Sequence, residues 1–130
     1  MKVSIIRLDH FVLTVRDIEK TIAFYTQVLG MQLETFGQNR KALIFGQQKI
    51  NLHLFGKEFE PKAKQPTPCS ADLCLITDIS INEVIKIFKA LNISIEEGPI
   101  QRTGAIGPIT SVYIRDPDSN LIEISNYQIM

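Results

Sequence analysis

Short segments in which apolar and polar residues alternate predict strands that bury one face. The first such segment covers residues 8–15, and a similar one covers residues 70–77. Each is followed by apolar residues at helical spacing and then by three further runs typical of strands. The six further strands are predicted at Met31–Phe36, Lys41–Phe45, Lys49–Phe55, Ser94–Glu97, Ile109–Arg115 and Leu121–Asn126. The order strand, helix, three strands (βαβββ) therefore occurs twice.

Both predicted helices carry end signals. The first helix begins after Asp17, whose side chain can accept hydrogen bonds from the first turn, and it runs to about Leu29. Gly30 then supplies the left-handed residue that commonly follows a helix. The second helix begins after Ser80, which opens a capping box, and Asn92 takes the place of the glycine at its end.

The two halves of the chain are related by an offset of 62 residues, at which Leu29–Glu34 recurs as Leu91–Glu96. We therefore predict an α+β fold in which two βαβββ repeats form a curled mixed sheet with the helices on its outer face. The predicted organisation is a single domain, 1–130, with repeat one at about 5–56, a linker at about 57–69 and repeat two at about 70–127. The linker contains three prolines, and we interpret it as a solvated crossover.

Composition excludes several functional classes. The 130 residues carry 14 Lys+Arg against 14 Asp+Glu, so the chain lacks the basic excess of a nucleic-acid binder or a polybasic membrane-surface protein. Two cysteines do not make a disulfide framework. No apolar run approaches the ~20 residues that a bilayer requires, and Met1–Leu8 lacks the apolar core of a signal peptide. We expect a cytoplasmic protein that binds neither nucleic acid nor membrane.

The strand faces turned away from the helices collect side chains that can bind a metal ion. Alternation places His10 and His53 on this face in the first repeat, and Asp72 and Glu123 in the second. His10 and Asp72 lie in the equivalent first strands, 62 residues apart, and His53 and Glu123 lie in the equivalent last strands. Imidazole and carboxylate ligands hold borderline divalent metals, so the four positions predict a metal site. The alternative is that each is only a hydrogen-bonded or solvated side chain.

Three further residues are candidates for the same site. Tyr113 shares the face of Glu123 and could donate a hydrogen bond to a substrate, unless it is only a packed aromatic residue. Arg102 is predicted in a glycine-rich loop, either as the anion-binding group of a flexible lid or as a solvated side chain. Cys74 lies on the same face, and we interpret it as a small packed thiol and not as a nucleophile.

Three segments resemble the vicinal-oxygen-chelate superfamily, which includes glyoxalase I, bleomycin-resistance proteins and extradiol dioxygenases. They are LDHFVLTV at 8–15, Phe24-Tyr25 with VLGM at 28–31, and RDPDSNLIEIS at 115–125. The resemblance covers almost the whole chain. The sequence is similar to those of short, single-module glyoxalase-domain-containing proteins. It implies paired βαβββ modules that curl around a metal, with His10, His53, Asp72 and Glu123 at the ligand positions. Glyoxalase I relatives usually carry Glu at the position of His53 and His or Gln at that of Asp72, so this chain departs from their pattern.

The resemblance also implies a function. A divalent ion (Ni, Zn, Mn, Co or Fe) would bind two adjacent oxygens of a small oxygenated metabolite in a lyase or isomerase of glyoxalase I type, and Glu123 would take part in proton transfer. A ring-cleaving dioxygenase of extradiol type and a non-catalytic binding or resistance protein are the alternatives. Related short chains complete their site by pairing, which implies a homodimer. Each site would then combine His10 and His53 of one chain with Asp72 and Glu123 of the other.

Overall fold

The structure, a computed structural model, describes residues 1–128. The chain divides into two compact units, Met1–Pro68 and a second from Cys69 onwards. Each unit contains one helix and one four-stranded mixed sheet in the order βαβββ, which confirms the predicted α+β repeat. Within residues 1–128, no helix is long and apolar enough to cross a membrane.

The first unit forms its sheet in the order β1-β4-β3-β2, with β1 and β4 parallel and the other neighbours antiparallel. Its elements are β1 (His10–Val15), α1 (Ile18–Gln27), β2 (Gln32–Phe36), β3 (Arg40–Phe45) and β4 (Gln48–Leu54). The Asp17 carboxylate accepts a hydrogen bond from the Lys20 amide at 2.9 Å, which satisfies one of the open donors of α1. Alternate strand residues and one helical tyrosine build the core, whose buried members include Leu13, Val15, Tyr25, Leu43, Ile50 and Leu52.

The second unit repeats this arrangement with the sheet order β5-β8-β7-β6. Its elements are β5 (Asp72–Ile76), α2 (Ile81–Ala90), β6 (Glu97–Thr103), β7 (Pro108–Arg115) and β8 (Leu121–Tyr127). The Ser80 hydroxyl accepts a hydrogen bond from the Glu83 amide, and Asn92 adopts φ +58°, so both predicted end signals of α2 are confirmed. Its core includes the buried residues Ile81, Val84, Phe88, Val112, Ile114, Ile122 and Ile124.

Strand β6 lies further along the chain than Ser94–Glu97, where the sequence predicts it. Gly98 and Pro99 are residues that normally interrupt a strand. Here the strand continues through them, because the pairing with β7 shifts its register between Glu97 and Ile100. Gly98 adopts φ +111°, and a Cβ there would collide with the backbone of β7. Arg102 consequently lies within a paired strand, and its predicted position in a loop is wrong.

A turn held by buried polar groups joins β7 to β8. One carboxylate oxygen of Asp116 accepts from the amides of Asp118 and Asn120, both at 2.9 Å. Its second oxygen accepts from the Asn120 side-chain amide at 2.8 Å. The Asn120 carbonyl oxygen in turn accepts from the amide of Ala71, at 2.9 Å, just before β5. The turn therefore fixes β8 beside its parallel neighbour.

Candidate functional site

The sheet pairing shows which residues share the face opposite the apolar core in each unit. In the first unit His10 pairs with Lys49, and Asn51 and His53 follow at two-residue steps along β4. We call this the first-unit face. In the second unit Glu123 pairs with Cys74 on one side and with Tyr113 on the other, which defines the second-unit face. Because directly paired residues point to the same side of a sheet, each face gathers its own candidate residues.

The same pairing shows which residue of the first repeat corresponds to Glu123 in the second. Asn51 pairs with Val12 in β1, and Glu123 pairs with Cys74 in β5. Val12 and Cys74 are separated by the repeat offset of 62 residues, so Asn51 is the counterpart of Glu123. His53 lies in the equivalent last strand, as predicted, two residues beyond Asn51 on the same face. Sequence reasoning missed Asn51, because its equivalence to Glu123 depends on the strand register, which the sequence alone does not give.

His10 carries the arrangement that is usual for a metal-binding histidine. Its Nδ1 lies 2.7 Å from a carboxylate oxygen of Asp9, and the side chain is 45% exposed. A carboxylate can only accept, so Nδ1 carries the proton and Nε2 offers its lone pair. The hydrogen bond with His10 is the main reason that the pKa of Asp9 lies below its ordinary value. Metal-bound histidines typically donate their second ring nitrogen in this way.

His53 is buried, with 2% of its surface exposed. Its Nε2 lies 3.3 Å from Nη2 of Arg40. A guanidinium can only donate, so Nε2 is the acceptor and the imidazole is neutral. Burial first, and the charge of Arg40 second, lower the pKa of His53, while Glu58 opposes them. The lone pair that a metal would need is therefore engaged by Arg40.

Arg40 is packed against two aromatic rings. Its guanidinium carbon lies 4.4 Å from the ring centroid of Phe59 and 5.0 Å from that of Phe36. Phe59 also contacts the ring of His53, with 5.6 Å between the centroids. Phe59, which is 40% exposed, belongs to the segment that the sequence predicts to be a solvated crossover. Among the described residues, Nε of Arg40 and Oδ1 of Asn51 are buried without a hydrogen-bond partner.

On the second-unit face a chain of hydrogen bonds ends at Glu123. The Ser111 hydroxyl donates to Oε2 of Glu123 at 2.6 Å and lies 2.6 Å from the Ser125 hydroxyl. The Cys74 sulfur lies 3.3 Å from Ser125. The Ser111 hydroxyl has one hydrogen, which it uses in the hydrogen bond to the carboxylate. Ser125 therefore donates a hydrogen bond to Ser111, and the Cys74 thiol donates one to Ser125. Burial raises the pKa of the Cys74 thiol, which agrees with a protonated donor at the start of the chain.

Tyr113, Arg102 and Glu97 form a second group beside Glu123. Nε of Arg102 donates to the Tyr113 hydroxyl at 3.0 Å, and Nη2 lies 3.2 Å from a carboxylate oxygen of Glu97. Burial raises the pKa of Tyr113, with Arg102 opposing and Glu123 reinforcing the shift. The phenol therefore keeps its proton at neutral pH and can donate it in a hydrogen bond. The charge of Arg102 is offset by Glu97.

The predicted ligands are divided between the two units. His10 and His53 belong to the first, whereas Glu123 and Asp72, an exposed residue at the start of β5, belong to the second. In residues 1–128 no three His, Cys, Asp or Glu side chains come together as a metal site. Within its own unit, His10 and Glu123 each offer a donor that suits a divalent ion, because each is oriented by a hydrogen bond to a neighbour. His53 fits less well, since Arg40 brings a positive charge to its free nitrogen.

The sequence of the chain matches the description of one protein family. The family description "Glyoxalase/Bleomycin resistance protein/Dioxygenase superfamily" matches residues 7–124. The chain belongs to this superfamily. Members of this vicinal-oxygen-chelate superfamily typically use a divalent metal, bind small molecules and often dimerise. Membership accounts for the duplicated βαβββ unit.

Individual members of the superfamily match the chain over most of its length. Virulence protein STM3117 of Salmonella typhimurium is 64% identical over 121 residues, which are 93% of this chain and 84% of that protein. Its crystal structure matches with a TM-score of 0.96 at 63% identity, covering 97% of this chain and 100% of that one. Glyoxalase domain-containing protein RDO1 of Mycosarcoma maydis is 57% identical over 127 residues, 98% of this chain and 72% of that protein. An integron cassette protein from the mobile metagenome of V. cholerae matches with a TM-score of 0.96 at 54% identity, covering 98% and 100% of the two chains.

Proposed function

We propose that this chain is a metal-dependent enzyme of the glyoxalase-like lyase or isomerase type that acts on a small oxygenated metabolite. The observation that carries the proposal is the 2.7 Å contact between Nδ1 of His10 and Asp9. It fixes the tautomer and leaves Nε2 as the nitrogen available to a metal. Glu123, which accepts a hydrogen bond from Ser111, supplies the complementary carboxylate. Superfamily membership supports a divalent ion at these residues.

The residues would hold the metal as follows. His10 provides an imidazole nitrogen, and Glu123 and Asp72 provide carboxylate oxygens. Asn51 adds a neutral oxygen at the position equivalent to Glu123, and its Oδ1 lacks a partner among residues 1–128. His53 can join the set only when Arg40 gives up its hydrogen bond. A bound divalent ion polarises two neighbouring oxygens of a substrate and stabilises the negative charge that develops on them.

Residues of the second-unit face carry out the proton transfer and bind the substrate oxygen. Glu123 is the base that takes a proton from a carbon next to a carbonyl group, because its carboxylate is held in place by Ser111. Tyr113, with its raised pKa, remains a neutral donor and can bind a substrate oxygen at neutral pH. Arg102, paired with Glu97, holds the phenol in position through its 3.0 Å hydrogen bond. Arg102 thus positions Tyr113.

We further propose a homodimer in which each site combines the first-unit face of one copy with the second-unit face of the other. The division of the ligands between the units supports this arrangement, as does the frequency of dimers in the superfamily. Apolar side chains near the N-terminus are also exposed in the single chain, with Ile6 at 90% and Val3 at 87%. Exposure of such residues is typical of a surface that a partner covers.

Metal titration of the metal-free protein tests the proposal. Calorimetry with Zn²⁺, Ni²⁺ and Mn²⁺ is expected to show one tightly bound ion per chain for at least one of them. His10→Ala and Glu123→Gln should each weaken binding by about 100-fold or more, because each removes a ligand. Glu83→Gln, which removes an exposed carboxylate from α2, is the matched control and should bind as the wild type does. Equal affinity in all four proteins would overturn the metal site.

Activity can be tested without knowing the natural substrate. Hydroxyacetone carries two adjacent oxygens and acidic C–H bonds, so deuterium from solvent should enter its hydroxymethyl carbon in the presence of the metal-loaded protein. Glu123→Gln should abolish this exchange, since the base is lost. Oxygen consumption with catechols and Fe²⁺, in place of exchange, would support the extradiol dioxygenase instead.

One observation favours a second function, a non-catalytic small-molecule binding protein. Arg40 occupies Nε2 of His53, and Phe59 covers both side chains. A face built from a cation and aromatic rings can bind a ligand without any metal. The metal titration separates the two functions, because a pure binding protein would show no change of metal affinity in the His10→Ala variant.

A further inference from the structure

The first-unit face carries one guanidinium, that of Arg40, which forms no ion pair among residues 1–128, although Glu58 acts electrostatically on His53 beside it. Lys49 lies 3.8 Å from Glu34, and His10 is paired with Asp9. Arg40, by contrast, has no ion-pair partner among residues 1–128; its only polar contact there is the neutral ring of His53. A partly buried cation without an anion is costly unless something else supplies the anion.

The guanidinium of Arg40 is held in place, and one of its two donor edges is only half used. The rings of Phe59 and Phe36 contact it, and His53 accepts one bond from Nη2. Nε, the neighbouring donor on the same edge, is buried and makes no hydrogen bond within the described residues. Nε and Nη2 together form the fork that matches the two oxygens of a carboxylate. A fork that is ordered but half-satisfied is the arrangement expected of a receptor without its ligand.

We propose that Arg40 is the residue that binds the carboxylate of a small organic acid, through Nε and Nη2, on the first-unit face. The inference rests on the proposed function to the extent that this face is taken as the substrate face. The carboxylate accepts hydrogen bonds from Nε and from Nη2, whose two hydrogens allow it to bind beside His53.

The charge balance favours a carboxylate over a phosphate group. Arg40 supplies one positive charge that forms no ion pair among residues 1–128, whereas Lys49 on the same face is paired with Glu34. One charge matches a monoanion, whereas a phosphate dianion would leave a negative charge beside the aromatic rings of Phe36 and Phe59. The substrate class is accordingly a small oxygenated acid and not a phosphate ester.

Nuclear magnetic resonance of the metal-free protein tests this inference. Acetate, propionate and benzoate, each beside its uncharged amide, are titrated at constant ionic strength while the Nε–H signal of Arg40 is observed. The signal is assigned by its loss in Arg40→Lys. At least one acid is expected to shift it saturably, and the amides should not. Inorganic phosphate, titrated in the same way, should bind more weakly than that acid.

Variants separate this site from the rest of the molecule. In the Arg40 variants, which lack this signal, binding is followed by the backbone amide shifts of β3 and β4. Arg40→Gln should weaken binding of the acid by about tenfold or more, and Arg40→Lys should weaken it less, because lysine keeps the charge and loses the fork. Lys41→Gln removes a neighbouring cation that is bonded to Thr35 and Asn39, and it should change nothing. Binding should also survive in His10→Ala, so a failed metal site leaves this result intact.

The inference is overturned by the absence of a saturable shift with any of the three acids, by equal binding of the amides, or by tighter binding of phosphate. Should Arg40→Gln prove unfolded by circular dichroism, the wild-type titrations and Arg40→Lys still decide the question. Unchanged binding in a folded Arg40→Gln would likewise reject it.

Discussion

At the scale of single residues, the function of His10 depends on Asp9. The carboxylate fixes which ring nitrogen carries the proton, so a ligand and its orienting group are adjacent in the sequence. Asp9→Asn is expected to lower the affinity for Zn²⁺ by about 10–100-fold, because the amide orients the imidazole less firmly. Competition with a chromophoric chelator measures the change, and Asp78→Asn, on an exposed loop, is the control. An unchanged affinity would show that Asp9 has no part in binding.

His53 yields a prediction about pH. Its pKa lies below the ordinary 6.5, first through burial and then through the charge of Arg40. Arg40→Gln should raise the pKa of His53 without restoring it fully, because burial remains, whereas Lys41→Gln should leave it unchanged. Titration of the ring nitrogens by nuclear magnetic resonance measures both. An unshifted value in Arg40→Gln would mean that the guanidinium charge does not reach the ring.

The same shift has a consequence for stability. A histidine whose folded pKa is depressed binds protons more readily in the unfolded chain, so its contribution to the free energy of unfolding falls as pH drops below about 6.5. Asp9 and Glu96 also have lowered pKa values, but their contributions fall only at lower pH, where carboxylates titrate. Urea unfolding should therefore show lower stability at pH 5.5 than at pH 7.5, and His53→Asn should reduce that difference. An equal difference in the variant would exclude His53 as its source.

Alternation along strands was sufficient to predict His10 and Glu123 on the faces opposite the core, because the period of a strand fixes which side each residue occupies. It could not reveal Arg40 beside His53 or the unpaired Asn51. Those depend on which residues of neighbouring strands face one another, and on where the crossover places Phe59. Long-range contacts of this kind leave no periodic trace in the sequence.

At the scale of elements, the turn between β7 and β8 is the most polar structural feature of the second unit. Asp116→Ala would leave two buried amides and the Asn120 side chain without their acceptor. We expect the free energy of unfolding to fall by about 2–3 kcal/mol or more, the cost of buried donors left unsatisfied. Asp78→Ala, at an exposed position, should change it by no more than about 0.5 kcal/mol. Urea unfolding of the two variants measures the difference, and equal stabilities would contradict the role given to the turn.

Element boundaries were predicted well where end signals were simple, as at Asp17 and Ser80. They failed at β6, because Gly98 and Pro99 normally interrupt strands. Here a register shift against β7 accommodates both residues within the sheet. A bulge is recognised only when its partner strand is known, and the sequence of one strand does not contain that information.

At the scale of the whole molecule, the proposed shared metal site requires two copies of the chain. Sedimentation equilibrium is expected to give a dimer at micromolar concentration. Replacing the exposed Ile5 and Ile6 with serine should shift the equilibrium toward monomer, because apolar surface that a partner would cover is lost. Replacing Ile106, which is 86% exposed in the second unit, is the comparison. A wild-type protein that stays monomeric would remove the shared site.

Mixing two defective variants tests the shared metal site most directly. His10→Ala and Glu123→Gln are purified separately and mixed in equal amounts under conditions that allow the subunits to exchange, and Zn²⁺ binding is measured before and after exchange. In a mixed dimer one site would contain both substitutions and the other neither, so exchange should restore about a quarter of the wild-type tight sites. If exchange is complete and no tight site returns, the ligands do not come from two copies, and the central claim is contradicted.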